Sequence, residues 1–330
     1  MWIEPSPEYA MTELTFSCAR FIKEIGRGPN GARPLSREDA HDLYSAMLDG
    51  RVTDVELGAV LLAYRLKGET PAELSGMLAA AHETLELLRT PAGAHRGVSI
   101  PSYNGARKQA NLTPLLAMRL AHEGVPVLVH GVTEDPGRVT SAEIFARLGV
   151  PAAASMADID ASLDRAKIAF APIATLSPQL ARLLSLRRVL GVRNSTHTLV
   201  KLLQPFREPG LRLVNYTHPA YRDSLSSLFS DHPEIGAGGA LLARGTEGEA
   251  VADTRRQVQI DWLHDGLVET IVEPERRDPD TPAPALPERD ADATARWIEA
   301  ALSGQVPTPP EIERQVETIK RLAAHPEVSA

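Results

Sequence analysis

Across residues 12–90, apolar positions recur at three- and four-residue spacing between marked helix boundaries. Ser36 precedes a run through Leu48. Asp49-Gly50 closes it, because glycine readily takes the left-handed conformation that ends a helix. Thr53 with Glu56 is a capping box opening a run to Leu66, and Gly68 ends it. Thr70, Pro71 and Glu73 mark a further start, for a helix through Leu88 whose stripe includes Leu74, Met77, Leu78 and Ala81. From Val98 onward, short apolar runs alternate with helices. Strands are expected at 98–100, 125–129, 167–171, 211–216 and 240–243. Helices are expected at 113–122, 140–148 (Thr140 and Glu143 form a third capping box), 177–190, 291–302 and 309–324, and 273–287 reads as a surface loop. The expectation is an α/β protein: a small N-terminal helical domain over 12–90, then an α/β domain over 91–330 with a largely parallel sheet. Some helices of the second domain return to the first.

Composition narrows this picture. Aromatic residues are 5% of the chain, so Ala, Leu, Val and Ile must build the core. No stretch is apolar enough to span a bilayer. The N-terminus, where Met11 is a second candidate start, lacks a signal-peptide pattern, and one cysteine (Cys18) permits no intrachain disulfide. A cytoplasmic location is the simplest expectation. The net charge of −8 argues against a polyanion partner until its distribution is considered. Residues 165–222 hold ten Lys/Arg and one acid, a local +9, so the remainder carries −17. Such segregation favours a cationic face on an acidic body.

Several motifs carry a family resemblance. Gly50 to Glu73 (GRVTDVELGAVLLAYRLKGETPAE) resembles the N-terminal helices of the anthranilate phosphoribosyltransferases and related nucleoside phosphorylases. Leu186 to Arg193 (LRRVLGVR) and Leu202 to Pro205 (LLQP) resemble that enzyme's RRxLGxR and LLGP segments, and His218-Pro219 lies where the family has a His-Pro. The resemblance covers roughly 12–325. Family chemistry uses a glycine-rich GTGGD loop for pyrophosphate, a KHGNR motif for phosphate and an Asp-Glu pair for magnesium. Here the first reads Pro101 to Pro114 (PSYNGARKQANLTP), keeping Gly105, Asn111 and Thr113, with Asn104 beside them. The second keeps His130 and Gly131 only. The third reads Gly245 to Glu249 (GTEGE) and leaves Glu247 and Glu249. These blocks, with GVRNSTHTLVKL, are similar to the YbiB-type branch of the superfamily. That resemblance implies a homodimer that binds DNA or RNA with little sequence preference and lacks demonstrated transferase activity. No cofactor is then expected; magnesium at Glu247 and Glu249 belongs to a transferase with altered donor or acceptor.

Candidate contacts follow from charge and placement. Arg107 and Lys108 precede a helix start, where anions are favoured. Arg187 and Arg188 form a cationic pair near a helix end. Arg193, His197 and Lys201 are spaced i, i+4, i+8, so a continuous helix would align them over about 12 Å of one face to track successive phosphates. By resemblance, Arg193 also matches the arginine that helps hold anthranilate's carboxylate, which leaves a small aromatic acid as a further alternative. Tyr103 and Tyr216 are candidate base-stacking residues and Arg255-Arg256 a second cationic patch. His130 reads as structural, His218-Pro219 as a turn, and Cys18 as core.

Overall fold

A computed structural model describes residues 16–28, 30–276 and 284–324. The N-terminal layer is α1 (Ala19–Ile25), α2 (Arg37–Leu48), α3 (Asp54–Lys67) and α4 (Pro71–Glu83). Their starts follow the sequence signals: Ser36 caps α2, and Thr53–Glu56 and Thr70–Glu73 form reciprocal capping boxes on α3 and α4. Glu73 is wholly buried and also accepts the Leu35 amide (2.9 Å) and Lys67 Nζ (2.7 Å), tying α4 to the end of α3 and to the segment that leads into α2. Helix α4 stops at Glu83, short of the expected Leu88. The Thr84 hydroxyl there bonds back to the Ala81 carbonyl and to Ser177, and Leu88 instead pairs with Phe206.

The second layer is a seven-stranded sheet: β1 (Val98–Ser102), β2 (Val127–Gly131), β3 (Ile168–Pro172), β4 (Leu211–Tyr216), β5 (Ala240–Arg244), β6 (Ile260–His264) and β7 (Leu267–Val272). The order is β3-β2-β1-β4-β5-β6-β7. The first five strands run parallel, and β6 and β7 add an antiparallel hairpin. The expected α/β architecture with a largely parallel sheet is therefore present. Helices α5 (Thr113–His122), α6 (Ser141–Arg147), α13 (Ala291–Leu302) and α14 (Pro310–Ala323) cover one face. The other face packs on α7 (Met156–Ala166), α8 (Ile173–Leu176), α9 (Pro178–Ser185), α11 (Thr196–Leu199) and α12 (Pro219–Asp231), whose buried side chains merge with those of α1–α4 in one core. The helical layer thus extends well beyond residue 90.

Several local expectations are corrected. The 177–190 helix breaks after Ser185 into α9 and the single-turn α10 (Arg187–Leu190), which buries no side chain fully and packs on the core only through the partly buried Leu190. His218-Pro219 is not a free turn; Pro219 is the first residue of α12. The β6–β7 hairpin turns on Asp265-Gly266, both with positive φ (50° and 76°), the geometry of a two-residue hairpin turn. The expected 273–287 loop falls partly outside the described residues.

Candidate anion-binding cleft

The five parallel strands end on one edge, and strand order reverses between β1 and β4. Crevices at such switch points are where open α/β sheets place ligands. Here the crevice is bounded by the loop after β1, the 132–139 loop after β2, the segment from α9 to α11, the end of β4 and the 245–249 turn after β5.

The loop after β1 is organised by two carboxylates from far along the chain. The Asn104 and Gly105 amides donate to Glu249 Oε1 at 2.8 and 2.7 Å. The Arg107 amide donates to Glu247 Oε2 at 2.8 Å, and the Lys108 amide to both Glu247 oxygens at 3.1 and 3.0 Å. Thr113 Oγ1 lies 3.4 Å from Glu249 Oε2. Burial pushes the Glu247 carboxyl up, but the amides of 107–109 and the Arg138 cation outweigh it and hold the group below the usual range. Gly248, at φ +90°, lies so close to Asn104 that an added Cβ would meet Asn104 Nδ2 at 1.7 Å. Its carbonyl accepts Lys201 Nζ (3.0 Å) and Asn215 Nδ2 (2.6 Å).

The retained family residues divide between this loop and its support. Asn111 caps the Thr113 amide (3.1 Å) and donates to Ser141. His130 is buried beneath the loop with Nδ1 2.8 Å from Tyr103 Oη, and burial pushes its imidazole down to about 3. Tyr103 is buried with it, so it presents no face for stacking. An added Cβ on Gly131 would lie 1.8 Å from the Ser102 carbonyl, which explains the glycine at the end of β2.

A recess of about 180 Å³ lies between this loop and the helical layer. Arg65 and Glu69 bound it on one side; Asn104, Arg193, His197, Lys201, Asn215 and Tyr216 bound it on the other. Arg193, His197 and Lys201 do meet here, but not as a row on one helix. Gly191 ends α10 in the left-handed conformation, and the Asn194 side chain accepts the Thr196 amide, so α11 begins only at Thr196 and lasts four residues. Arg193 donates to Asn104 Oδ1 (2.6 Å); burial, then the nearby Arg187, Arg138 and Arg65, lower its pKa. Burial and then Arg193 push the His197 imidazole down to about 4. Burial pushes the Lys201 ammonium down to about 8, against the attraction of Glu249. These groups line a recess rather than an exposed track.

The exposed cations lie at its mouth. The Arg107 and Lys108 side chains are exposed, Arg187 contacts Asp135 (3.3 Å) and Arg188 contacts Glu134 (3.1 Å). A second cavity of about 530 Å³ opens beside them, lined in part by Tyr103, Asp135, Arg187 and His197. Arg255 and Arg256 both turn onto Asp253, which offsets one of the two charges of that patch. Arg65, Arg138 and Asn215 were not singled out in the sequence. The usable signal for Asn215 is a polar residue at the carboxyl end of a parallel strand, where ligand-binding groups collect.

The arrangement does not fit a magnesium site at Glu247 and Glu249. Magnesium needs carboxylate oxygens converging on one point, whereas these receive N–H and O–H donors at separate points of the loop. Among the described residues no three His, Cys, Asp or Glu side chains converge for a metal, and no helix is long and apolar enough to cross a membrane.

Residues 19–84 match the family described as the helical bundle domain of the glycosyl transferase family. The chain is 45% identical over 300 residues to the uncharacterized protein YbiB of Escherichia coli K12, covering 90% of this chain and 91% of that protein. It is 28% identical over 295 residues to an anthranilate phosphoribosyltransferase of Methanopyrus kandleri, covering 87% and 83%. Among solved structures, anthranilate phosphoribosyltransferase from Thermus thermophilus shares the fold with a TM-score of 0.70 at 20% identity, over 92% of this chain and 94% of that one. The Saccharomyces cerevisiae enzyme in complex with PRPP and Mg gives 0.69 at 15% identity, over 96% and 90%.

Proposed function

From the premise that the chain belongs to the anthranilate phosphoribosyltransferase-like glycosyl transferase family 3 superfamily, with E. coli YbiB as a relative, we propose that it is a nucleic-acid-binding protein built on a transferase fold. The observation that carries this reading is an imbalance at the cleft. Arg65, Arg107, Lys108, Arg138, Arg187, Arg188 and Arg193 gather about the crevice, while the loop amides that would serve one small phosphate ligand are engaged by Glu247 and Glu249. Arg138 and Arg193 are held against the loop by Asn104. What remains available are the cations with exposed side chains, Arg65, Arg107, Lys108, Arg187 and Arg188, and these suit a chain of phosphates. The contacts of Arg187 and Arg188 with Asp135 and Glu134 are at least partly exposed, worth about 1 kcal/mol or less each, so phosphate competes for them readily. No base-reading group is evident at the mouth, so low sequence specificity follows. Phosphoribosyl transfer is the weaker reading, because it needs the loop amides and a metal seat that the two carboxylates do not form.

The homodimer is part of the proposal. Helix α3 presents Val55, Ala59, Leu62 and Leu66 outward at helical spacing, with Val55 and Leu66 84% and 79% exposed. A second copy of that face would cover the stripe. DNA or RNA is then the partner at the cleft mouths, in the cytoplasm.

The test is fluorescence anisotropy with a labelled single-stranded oligonucleotide across salt, for wild type and for Arg107→Ala/Lys108→Ala/Arg187→Ala/Arg188→Ala. Binding should weaken steeply with salt, and losing up to four phosphate contacts should flatten the log–log slope by up to about 3. Absence of binding by wild type at low salt would refute the proposal. A second reading, a small aromatic acid in the 180 Å³ recess, draws support from Asn215 Oδ1, buried there without a hydrogen-bond partner and ready to accept an amine. Under that reading Arg193→Ala abolishes acid binding and leaves oligonucleotide binding intact.

A further inference from the structure

The two edges of the sheet are finished differently. On β3, buried over its first four residues, the outer side is occupied: the Ala153 amide donates to the Phe170 carbonyl at 2.9 Å, and Ala152 bridges to Phe170. On β7, the opposite edge, residues 267–270 are exposed, and among the described residues the backbone of 267–272 pairs with β6 alone. The two-residue turn makes His264 and Leu267 a hydrogen-bonded pair, so alternation turns the Val268 and Thr270 amides away from β6. Beside this edge lies a cavity of about 660 Å³, within the size range of ligand pockets. One wall is the run from Ile271 to Glu275. The other is a single face of α14, with Arg314, Glu317, Thr318 and Arg321 spaced i, i+3, i+4, i+7. A free strand edge beside a helix-walled groove is an arrangement that takes an extended peptide as an added strand.

We infer that β7 and α14 form a docking groove for an extended basic peptide, which joins the sheet as an eighth strand. Charge selects this occupant. Along the edge and the cavity, the exposed Glu269, Glu273, Glu275 and Glu317 outnumber Arg314 and Arg321. Arg314 and Glu275 meet at 3.6 Å with side chains 50% and 71% exposed, so solvent screens the pair and a bound chain can displace it. Glu269 lies 3.6 Å from His264 and is likewise open to solvent. A second copy of the chain would bring the same acids to the edge, and like charges on facing strands repel. Lysine or arginine opposite them is favourable. Side chains of an added strand alternate between the two sheet faces. Apolar residues at every second position of the peptide would therefore cover Leu267 or Val268, which the chain itself leaves bare. The strands β5 and β6 separate this edge from the crevice at β1 and β4, so the inference is independent of what binds there.

The experiment titrates two fluorescein-labelled hexapeptides into the full chain and follows anisotropy. One peptide alternates lysine with valine, the other glutamate with valine. The wild type should bind the lysine peptide and not the glutamate peptide. Glu273→Lys/Glu317→Lys changes two exposed side chains, so the fold is kept, and it should weaken the lysine peptide about tenfold. Amide hydrogen exchange then tests the added strand itself. At saturating peptide, protection of Val268 and Thr270 should rise at least about tenfold, because ladder bonds engage their N–H groups. Val268→Pro removes one of those donors at an edge position that tolerates proline, and should weaken the peptide with the circular dichroism spectrum unchanged. Failure of the wild type to bind either peptide would overturn the inference. So would equal affinity for the two peptides, or unchanged binding by the charge-reversed variant. Binding without new protection at Val268 and Thr270 would also overturn it, since loose charge attraction gives that result without a strand.

Discussion

Gly248→Ala tests how firmly the 245–249 turn is held. Two penalties combine at this position. An alanine at φ +90° costs about 1–2 kcal/mol in backbone strain. Its Cβ would also lie 1.7 Å from Asn104 Nδ2, so the Asn104 side chain must swing away and release the 2.6 Å bond from Arg193, a charge-assisted contact worth about 1.5–3 kcal/mol. Together the turn carries roughly 3–5 kcal/mol against its closed form. The load is local, so it should appear first as opening of the cleft and only then as loss of global stability. Amide hydrogen exchange reads it directly: protection at 104, 105, 107 and 108 should fall by roughly two to three orders of magnitude, since each 1.4 kcal/mol is tenfold. Gly304→Ala is the control, with φ +78° and nothing within 4 Å, so only the strain is felt. Adding Asn104→Ala to Gly248→Ala removes the clash and should restore part of the protection. If Gly248→Ala exchanges those four amides as slowly as wild type, the close approach of turn and loop is not what holds the cleft shut.

Three further outcomes are expected. His130 is buried with its pKa depressed to about 3; the unfolded chain therefore binds the proton first as pH falls below about 6.5, and stability is lost toward acid. His130→Asn should reduce the pH slope of urea-measured stability near pH 5 by about 1.4 kcal/mol per unit, and an unchanged slope would contradict the assignment. Leu66→Glu, on the exposed α3 stripe, should convert a dimer to monomer in light scattering while leaving the circular dichroism spectrum unchanged; a dimer that persists would place the interface elsewhere. Glu73→Ala should cost about 3–5 kcal/mol, because it strands Lys67 and frees the Leu35 and Thr70 amides, and a thermal melt within a degree of wild type would refute the buried network.

Where the sequence was legible, the reason is local. The starts of α2, α3, α4 and α6 were readable because Ser36, Thr53, Thr70 and Thr140 cap their own helices, and each cap spans only three residues. The start of α12 was marked equally well by Pro219, yet His218-Pro219 read as a turn because a proline also begins turns. The β6–β7 hairpin was signalled by Asp265-Gly266 and overlooked, since its strands carry charged residues at Asp261 and Glu269 that interrupt the apolar run. The site was harder to read, because its defining contacts cross about 140 residues. Glu247 and Glu249 stood out as carboxylates on a short loop, and its resemblance to the family's Asp-Glu magnesium motif pointed them toward a metal. Only the fold shows that they face amides. The spacing of Arg193, His197 and Lys201 was real, but the Asn194 side chain interrupts the helix that spacing presupposes.

The Gly248 carbonyl has one more consequence. Its single oxygen receives Lys201, from the segment that leans on the helical layer through Tyr44–Thr196 and Glu69–Ser195, and Asn215, from the centre of the sheet. The two layers are therefore geared to each other through one atom of the turn. Any hinge movement that widens the recess pulls on that oxygen and drags Glu247 and Glu249 with it. A molecule wedged between the layers would therefore be felt at the turn, through the bonds that Lys201 and Asn215 make to Gly248.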